Sequence, residues 1–248
     1  MLHDDVIDKS DFRRGKKTNN HLWGNKNSIL TGDYLLGRCF EIMVEDGSLE
    51  VLKLLSSVSS EIAQGEILQL QHEKEVETLE KTYLEIIGSK TSSLFAASMR
   101  VGGCINDKSK NEKEALTSFG FNLGICFQIT DDILDYYSDK IAFGKVIGND
   151  FYEGKVTLPT IMLYQKSSDI ERLALKKMFT RKERTKEELA YTLNLMTKYQ
   201  VIASCKKRAE HFSSVSADSL GIFPESKEKT RLQELAFYIA VSYTHLTL

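Results

Sequence analysis

Residues 112–137 read EKEALTSFGFNLGICFQITDDILDYY, and this stretch decides the fold class. Its apolar positions Phe119, Leu123, Phe127, Ile129, Ile133 and Leu134 recur at helical spacing, so the segment reads as one long, mostly buried helix. The same spacing continues outward in both directions. Upstream it runs through Leu30, Tyr34, Leu35, Cys39, Phe40, Met43 and Val44, and again through Val51, Leu52, Leu55, Val58, Ile62, Ile67 and Leu70. A third stripe, rich in small residues, predicts a helix from Thr82 to Met99 that stops at Gly102-Gly103. Downstream, residues 138–156 show no clear period, and helices are predicted over 157–165, 169–179, 185–216 and 225–241. No alternating run of useful length predicts a strand, and Asp46-Gly47 separates two helical stripes rather than two strands. The expectation is an all-α chain with one domain over residues 1–240 and no repeat.

Composition agrees. The 248 residues include only two prolines, Pro159 and Pro224, which favours long helices, since an interior proline costs about 3 kcal/mol. Hydrophobic residues at 42% and charged residues at 27% exclude disorder. A chain of this size buries roughly 70% of its unfolded surface and needs neither disulfide nor zinc. The net charge of −2 argues against nucleic-acid binding driven by bulk charge. No apolar run approaches the ~18 residues of a membrane span, and no signal peptide opens the sequence. Cys39, Cys104, Cys126 and Cys205 stand far apart without ligand spacing, so reduced, apolar thiols in a cytoplasmic protein are expected.

Two segments share a pattern that carries chemistry: Asp4-Asp5-Val6-Ile7-Asp8 and Asp131-Asp132-Ile133-Leu134-Asp135. On a helix, positions i and i+4 share a face, so Asp4 with Asp8 and Asp131 with Asp135 form carboxylate pairs. One DDxxD arises by chance in roughly one chain in twenty of this length, two in about one in several hundred, so a shared purpose is the stronger reading. The residues between are aliphatic in both copies, and the second copy sits in the most apolar helix, where solvated acids are out of place. Clustered carboxylates need a cation, and oxygen-only ligands suit Mg²⁺, which fills its octahedron with water and phosphate oxygens. Arg13-Arg14-Gly15 follows the first motif, Gly144-Lys145 and Glu153-Gly154-Lys155 follow the second, and Ser89-Lys90-Thr91 lies between. Guanidinium and ammonium groups beside Mg²⁺-holding acids imply a polyanionic substrate. Lys16 and Lys17 read as surface charge. No Walker-type or GxGxxG loop is present, which makes nucleotide phosphate the weaker choice.

The ordered set DDVID-x4-RRG, GSKT, FQITDDILD and GKVIGND-x2-EGKVTLP resembles the trans-isoprenyl diphosphate synthases, most closely the medium- and long-chain polyprenyl members of bacterial type. The likeness runs from Leu2 to about Ala240. It implies an isoprenoid-synthase-type helical bundle around a central cavity. It also implies condensation of an allylic diphosphate with isopentenyl diphosphate into an all-trans polyprenyl diphosphate, a quinone side-chain precursor. By position, Asp4, Asp5, Asp8, Asp131, Asp132 and Asp135 are implied to hold about three Mg²⁺ ions with the substrate diphosphate. Arg13 is implied to bind the allylic diphosphate and Arg14 isopentenyl diphosphate. Lys90 and Lys145 are implied to grip the allylic diphosphate with Thr91 and Gln128 lining that catalytic site, and Lys155 lies near the second motif. Members of this kind usually form homodimers.

Three departures shape the expectations. The family's upstream GGKR-type loop has no counterpart, since Lys206-Lys207-Arg208 lacks the glycines, so a fragment without its N-terminal helices is expected. Residues 241–248 lack the usual terminal basic residue and read as a non-native tail. Glu66, Gln69 and Gln71 face either the cavity mouth or solvent. The competing readings are a non-catalytic partner subunit of such a synthase, or a terpene cyclase or head-to-head synthase. Arg13-Arg14-Gly15 and the second complete DDxxD weigh against the cyclase, and the intact acids weigh against the partner subunit.

Overall fold

A reciprocal pair of hydrogen bonds starts the long helix. The Glu112 N–H donates to the Ser109 hydroxyl at 3.3 Å, and the Ser109 N–H donates to the Glu112 carboxylate at 2.9 Å. The computed structural model describes residues 2–13, 15–137 and 147–245, with backbone alone for 242–245. These residues group into two compact units, residues 2–55 and residues 56–137 with 147–245.

In the first unit α1 (Leu2–Ile7) leads into a two-residue antiparallel ladder, β1 (Phe12–Arg13) with β2 (Lys16–Lys17), then α2 (Asn19–Trp23), α3 (Asn25–Asp46) and the opening of α4 (Leu49–Gln71). The His3 ring lies against the Ile29 carbonyl and Asp33, and the Ser28 hydroxyl donates to the Leu2 carbonyl at 3.0 Å, which ties α1 to α3. Gly47, at φ 76°, ends α3 as its sequence position predicts. The apolar stripe of α3, including Leu30, Tyr34, Leu35 and Val44, is exposed.

The second unit is built around α7 (Lys110–Tyr136), whose Phe119, Ile125, Cys126, Ile129 and Ile133 are fully buried. Against it pack α6 (Ser93–Cys104), reached through α5 (Glu80–Ile87) and a π-helical turn, Gly88–Ser92. After the short α8 (Asn149–Glu153) come α9 (Leu158–Lys166), α10 (Asp169–Thr180), α11 (Lys186–Lys198), α12 (Val201–Ser219) and α13 (Lys227–His245), of which α12 and α13 also lie on α7. Each fully buried Ile or Phe of this core contributes roughly 1.5–3 kcal/mol. Among the described residues no helix is long and apolar enough to cross a membrane.

Three element boundaries differ from the sequence reading. The helix over 82–99 is interrupted by the π turn. α6 ends at Cys104, one residue past the Gly102-Gly103 expected to stop it, and at Gly103 the bare backbone leaves room for Leu116 Cδ1, 3.1 Å from where a Cβ would stand. The single helix over 185–216 breaks at Gln200, whose φ of 49° is left-handed. Its neighbour Tyr199 is held from outside, its hydroxyl donating to Glu171 at 2.7 Å and its carbonyl accepting from Lys166 at 3.3 Å. Cys126 and Cys205 are buried and burial pushes both thiols up to about 12, whereas Cys39 is exposed.

The closest approach of α6 and its preceding turn to α7 runs over glycine. A Cβ on Gly124 would stand 2.6 Å from Ser92 Cα, and one on Gly120 would stand 2.4 Å from the Phe95 carbonyl oxygen. Helix propensity alone makes Gly→Ala stabilising by about 1 kcal/mol. Here overpacking reverses the sign: Gly124→Ala is expected to destabilise by ~1–3 kcal/mol, read from the urea midpoint at unchanged m-value.

Candidate functional site

In the first unit the helix N-terminus carries the acids. The Asp8 N–H donates to the Asp4 carbonyl at 2.7 Å, so the turn continues through the motif and Asp4 and Asp8 fall on one face, both half-buried. Asp5 points the other way and is buried, 4% exposed. Arg13 Nε donates to its carboxylate at 2.7 Å, and the Ser10 N–H and Asn20 side chain donate to its carbonyl. Arg13 is half-exposed, and that bond uses Nε alone, so among the described residues its terminal amino groups stay available to an anion. Arg14 lies outside the described residues.

In the second unit the same division of labour appears. Asp131 is exposed, while Asp132 turns inward and is 4% exposed. Tyr83, on α5, donates its hydroxyl to Asp132 Oδ2 at 2.6 Å, and Gln128 Nε2 donates to Oδ1 at 2.9 Å. Gln128 accepts in turn from the Thr91 hydroxyl at 2.9 Å. Burial pushes the Asp132 carboxyl up to about 7. The bonds from Tyr83 and Gln128 oppose that rise, and the charges of Asp131 and Asp135 add to it. Tyr83 itself is held well above the ordinary phenol range by burial and by Asp132, so it stays a donor.

Asp135 caps the next helix. Its carboxylate accepts from the N–H groups of Asn149 at 3.2 Å and Asp150 at 3.0 Å, and its carbonyl from Gly148 at 2.8 Å. Asp150 is thereby brought near the motif; burial and the neighbouring Asp132 and Asp135 hold its carboxyl well up, with Lys155 pulling the other way. Lys155 pairs with Glu153 at 2.8 Å. Lys145 lies outside the described residues.

The π turn explains how two neighbouring residues serve two helices. Lys90 faces α4, where its ammonium donates to Glu66 and to Gln69 Oε1, both at 2.9 Å, while Thr91 faces Gln128 on α7. Close approach of α4 requires Gly65, since a Cβ there would meet Lys90 N at 2.6 Å. Glu66 and Gln69 therefore face the lysine and not open solvent. Tyr83 and Asp150 are the site residues that sequence reasoning missed. Tyr83 looked like one more apolar stripe position, and Asp150 sat in the stretch without period.

The donors fit a hard divalent cation. They are carboxylate oxygens spaced one turn apart, the hard oxygen ligands that suit Mg²⁺.

The chain is similar in sequence and fold to known proteins. A family model described as Polyprenyl synthetase matches residues 1–196. The chain is 33% identical over 237 residues to the octaprenyl diphosphate synthase of Haemophilus influenzae, an alignment covering 96% of this chain and 72% of that protein. A decaprenyl diphosphate synthase structure from Rhodobacter capsulatus superposes with a TM-score of 0.92 at 37% identity, over 98% of this chain and 74% of the other. A polyprenyl synthase from Caulobacter crescentus, complexed with calcium and isoprenyl diphosphate, superposes with a TM-score of 0.91 at 36% identity, over 96% and 73%.

A carboxyl raised by burial stabilises the fold while protonated and loses that contribution as pH rises through its folded-state value. With EDTA present, Asp132 is therefore expected to make the chain less stable at pH 8 than at pH 5.5 by roughly 2 kcal/mol. Asp132→Asn removes that part of the slope, read from urea midpoints at the two pH values.

Proposed function

This chain belongs to the polyprenyl synthetase family and is a chain-elongating prenyltransferase. From that premise we propose that it condenses an allylic diphosphate with isopentenyl diphosphate, with Mg²⁺, to give an all-trans polyprenyl diphosphate. The observation that supports this reading is the shared design of the two motifs. Each keeps its second aspartate buried on a protein partner, Asp5 on Arg13 and Asp132 on Tyr83 and Gln128, and turns its first outward.

Asp4, Asp8 and Asp131 are the direct Mg²⁺ ligands, with Asp135 sharing its carboxylate between that task and the cap of α8; Asp5 and Asp132 orient them. About three ions accompany the diphosphate. When bound, Mg²⁺ supplies Lewis-acid stabilisation of the leaving diphosphate. The chain's own groups do the rest. Breaking the allylic C–O bond places growing negative charge on the diphosphate, and donors already aimed there gain most in the transition state. Lys90, held by Glu66 and Gln69 without being buried, exchanges part of that contact for phosphate oxygen. The terminal amino groups of Arg13 and the ammonium of Lys155 bind further oxygens, Lys145 grips the allylic diphosphate, and Arg14 serves isopentenyl diphosphate. The isopentenyl double bond then attacks the allylic carbon, and the proton lost afterwards goes to the released diphosphate. Phe95 stands one turn from Thr91 and Phe127 one turn from Asp131, with their ring centroids 5.5 Å apart. This aromatic wall carries the growing hydrocarbon and keeps water from the cation. The exposed apolar face of α3 suits a homodimer, whose test is a molar mass by light scattering.

Incorporation of radiolabelled isopentenyl diphosphate with farnesyl diphosphate as allylic substrate tests the reading. Product is expected with Mg²⁺ and none with EDTA. Asp131→Ala and Lys90→Ala are each expected to lower kcat/KM by ~10²-fold or more. A folded chain that incorporates label equally with and without Mg²⁺ contradicts it.

A further inference from the structure

Arg184 is 7% exposed, yet among the described residues no carboxylate lies within ion-pair distance of it. The charges of Glu188 and Glu73 act on it from a distance only, so its burial is costly and its position has to be explained. Its Nη2 donates to the Phe179 carbonyl at 2.6 Å and its Nη1 to the Tyr152 carbonyl at 3.2 Å. The guanidinium lies over the Phe179 ring at 5.1 Å and the Phe151 ring at 6.0 Å. It also fills the space beside Gly154, where a Cβ would stand 2.6 Å from Nη2 and where φ is 80°. Burial holds its pKa below the ordinary guanidinium value.

The bond to the Phe179 carbonyl holds Arg184 on the end of α10, and its contacts with Tyr152, Phe151 and Gly154 reach across to one turn. Tyr152 and Gly154 belong to the turn that carries Asp150 and Lys155. At its start the turn is gripped by Asp135 through the N–H groups of Asn149 and Asp150, and its middle is anchored by the fully buried Phe151. At its end the Lys74 N–H donates to the Gly154 carbonyl at 3.1 Å, Lys155 pairs with Glu153, and Arg184 holds the Tyr152 carbonyl. A neutral apolar side chain of the same volume would pack on Phe151 and Phe179 as well. It would not bond the Tyr152 carbonyl. We propose that Arg184 is a positioning residue for the reaction: it fixes the far end of the 148–155 turn on the α10–α11 corner, so that Asp150 and Lys155 keep their place beside the second aspartate motif. The proposal rests on the reading that Lys155 binds substrate diphosphate.

The test uses the full chain and inorganic pyrophosphate with Mg²⁺ as the probe, binding being read by calorimetry and backbone order by hydrogen–deuterium exchange. Arg184→Ala is expected to weaken Mg²⁺-dependent pyrophosphate binding about tenfold, as loss of a supporting partner commonly does. It should raise exchange within residues 148–155 while α12 stays protected. Millimolar guanidinium should restore part of the binding, and Arg184→Lys should fall between. Wild-type binding in Arg184→Ala overturns the proposal. So does exchange that rises throughout the second unit without guanidinium rescue, the signature of a merely structural residue. Lys155→Ala separates the two claims: if it binds pyrophosphate as wild type does, the diphosphate reading fails, whereas a weakened Lys155→Ala beside an unchanged Arg184→Ala defeats the positioning role alone.

Discussion

Everything in the second unit's site depends on one buried carboxylate. Asp132 lies almost out of reach of water on the buried helix α7, and a carboxylate there survives only with donors fixed on both oxygens. Tyr83 and Gln128 are those donors, and each brings its own element: α5 for Tyr83, and through Thr91 the π turn for Gln128. Satisfying Asp132 therefore sets the placement of Lys90, the neighbour of Thr91, and leaves Asp131 facing outward one residue earlier. The polar network and the glycine contacts under Ser92 and Phe95 support the same geometry, one by hydrogen bonds and the other by steric fit.

The same economy appears in the first unit with different parts. There Arg13 supplies the bond to the buried Asp5, and the arginine's remaining nitrogens face outward. A repeated DDxxD is thus not a uniform patch of ligands. On the function proposed here, its second aspartate is a fixed point of the protein and its first a group for the substrate complex. Asp5 and Asp132 are both 4% exposed, on two different helices, which argues that the distinction belongs to the motif and not to one helix.

Much of this was legible in the sequence, and the reasons for the rest are physical. Apolar spacing located the long helices, and the paired acids with nearby bases located the chemistry, because both follow from a period of 3.6 residues. The π turn was not read, although Ile87 to Ser93 holds Gly88, three serines and Thr91, all weak helix formers; the apolar spacing on either side ran across it unbroken. Gly102-Gly103 marked the end of α6 to within one residue, while the glycines that let α6 and its preceding turn lie on α7 are Gly120 and Gly124. Tyr83 was indistinguishable from a core aromatic until its hydroxyl met Asp132. Asp150 became part of the site only because Asp135 caps α8, a contact that no local period reports.

The measurement that bears most directly on this division of labour compares Mg²⁺-dependent pyrophosphate binding, by titration calorimetry, in Asp131→Asn and Asp132→Asn chains. Asparagine keeps the shape of each side chain, removes its charge and turns one acceptor oxygen into an NH₂ donor, which at position 132 faces Gln128 and requires that amide to turn. If the outward aspartate is the ligand and the inward one the support, Asp131→Asn abolishes the binding. Asp132→Asn, whose amide oxygen still accepts from Tyr83, then retains it within about tenfold. Loss of binding in Asp132→Asn with wild-type binding in Asp131→Asn would contradict it.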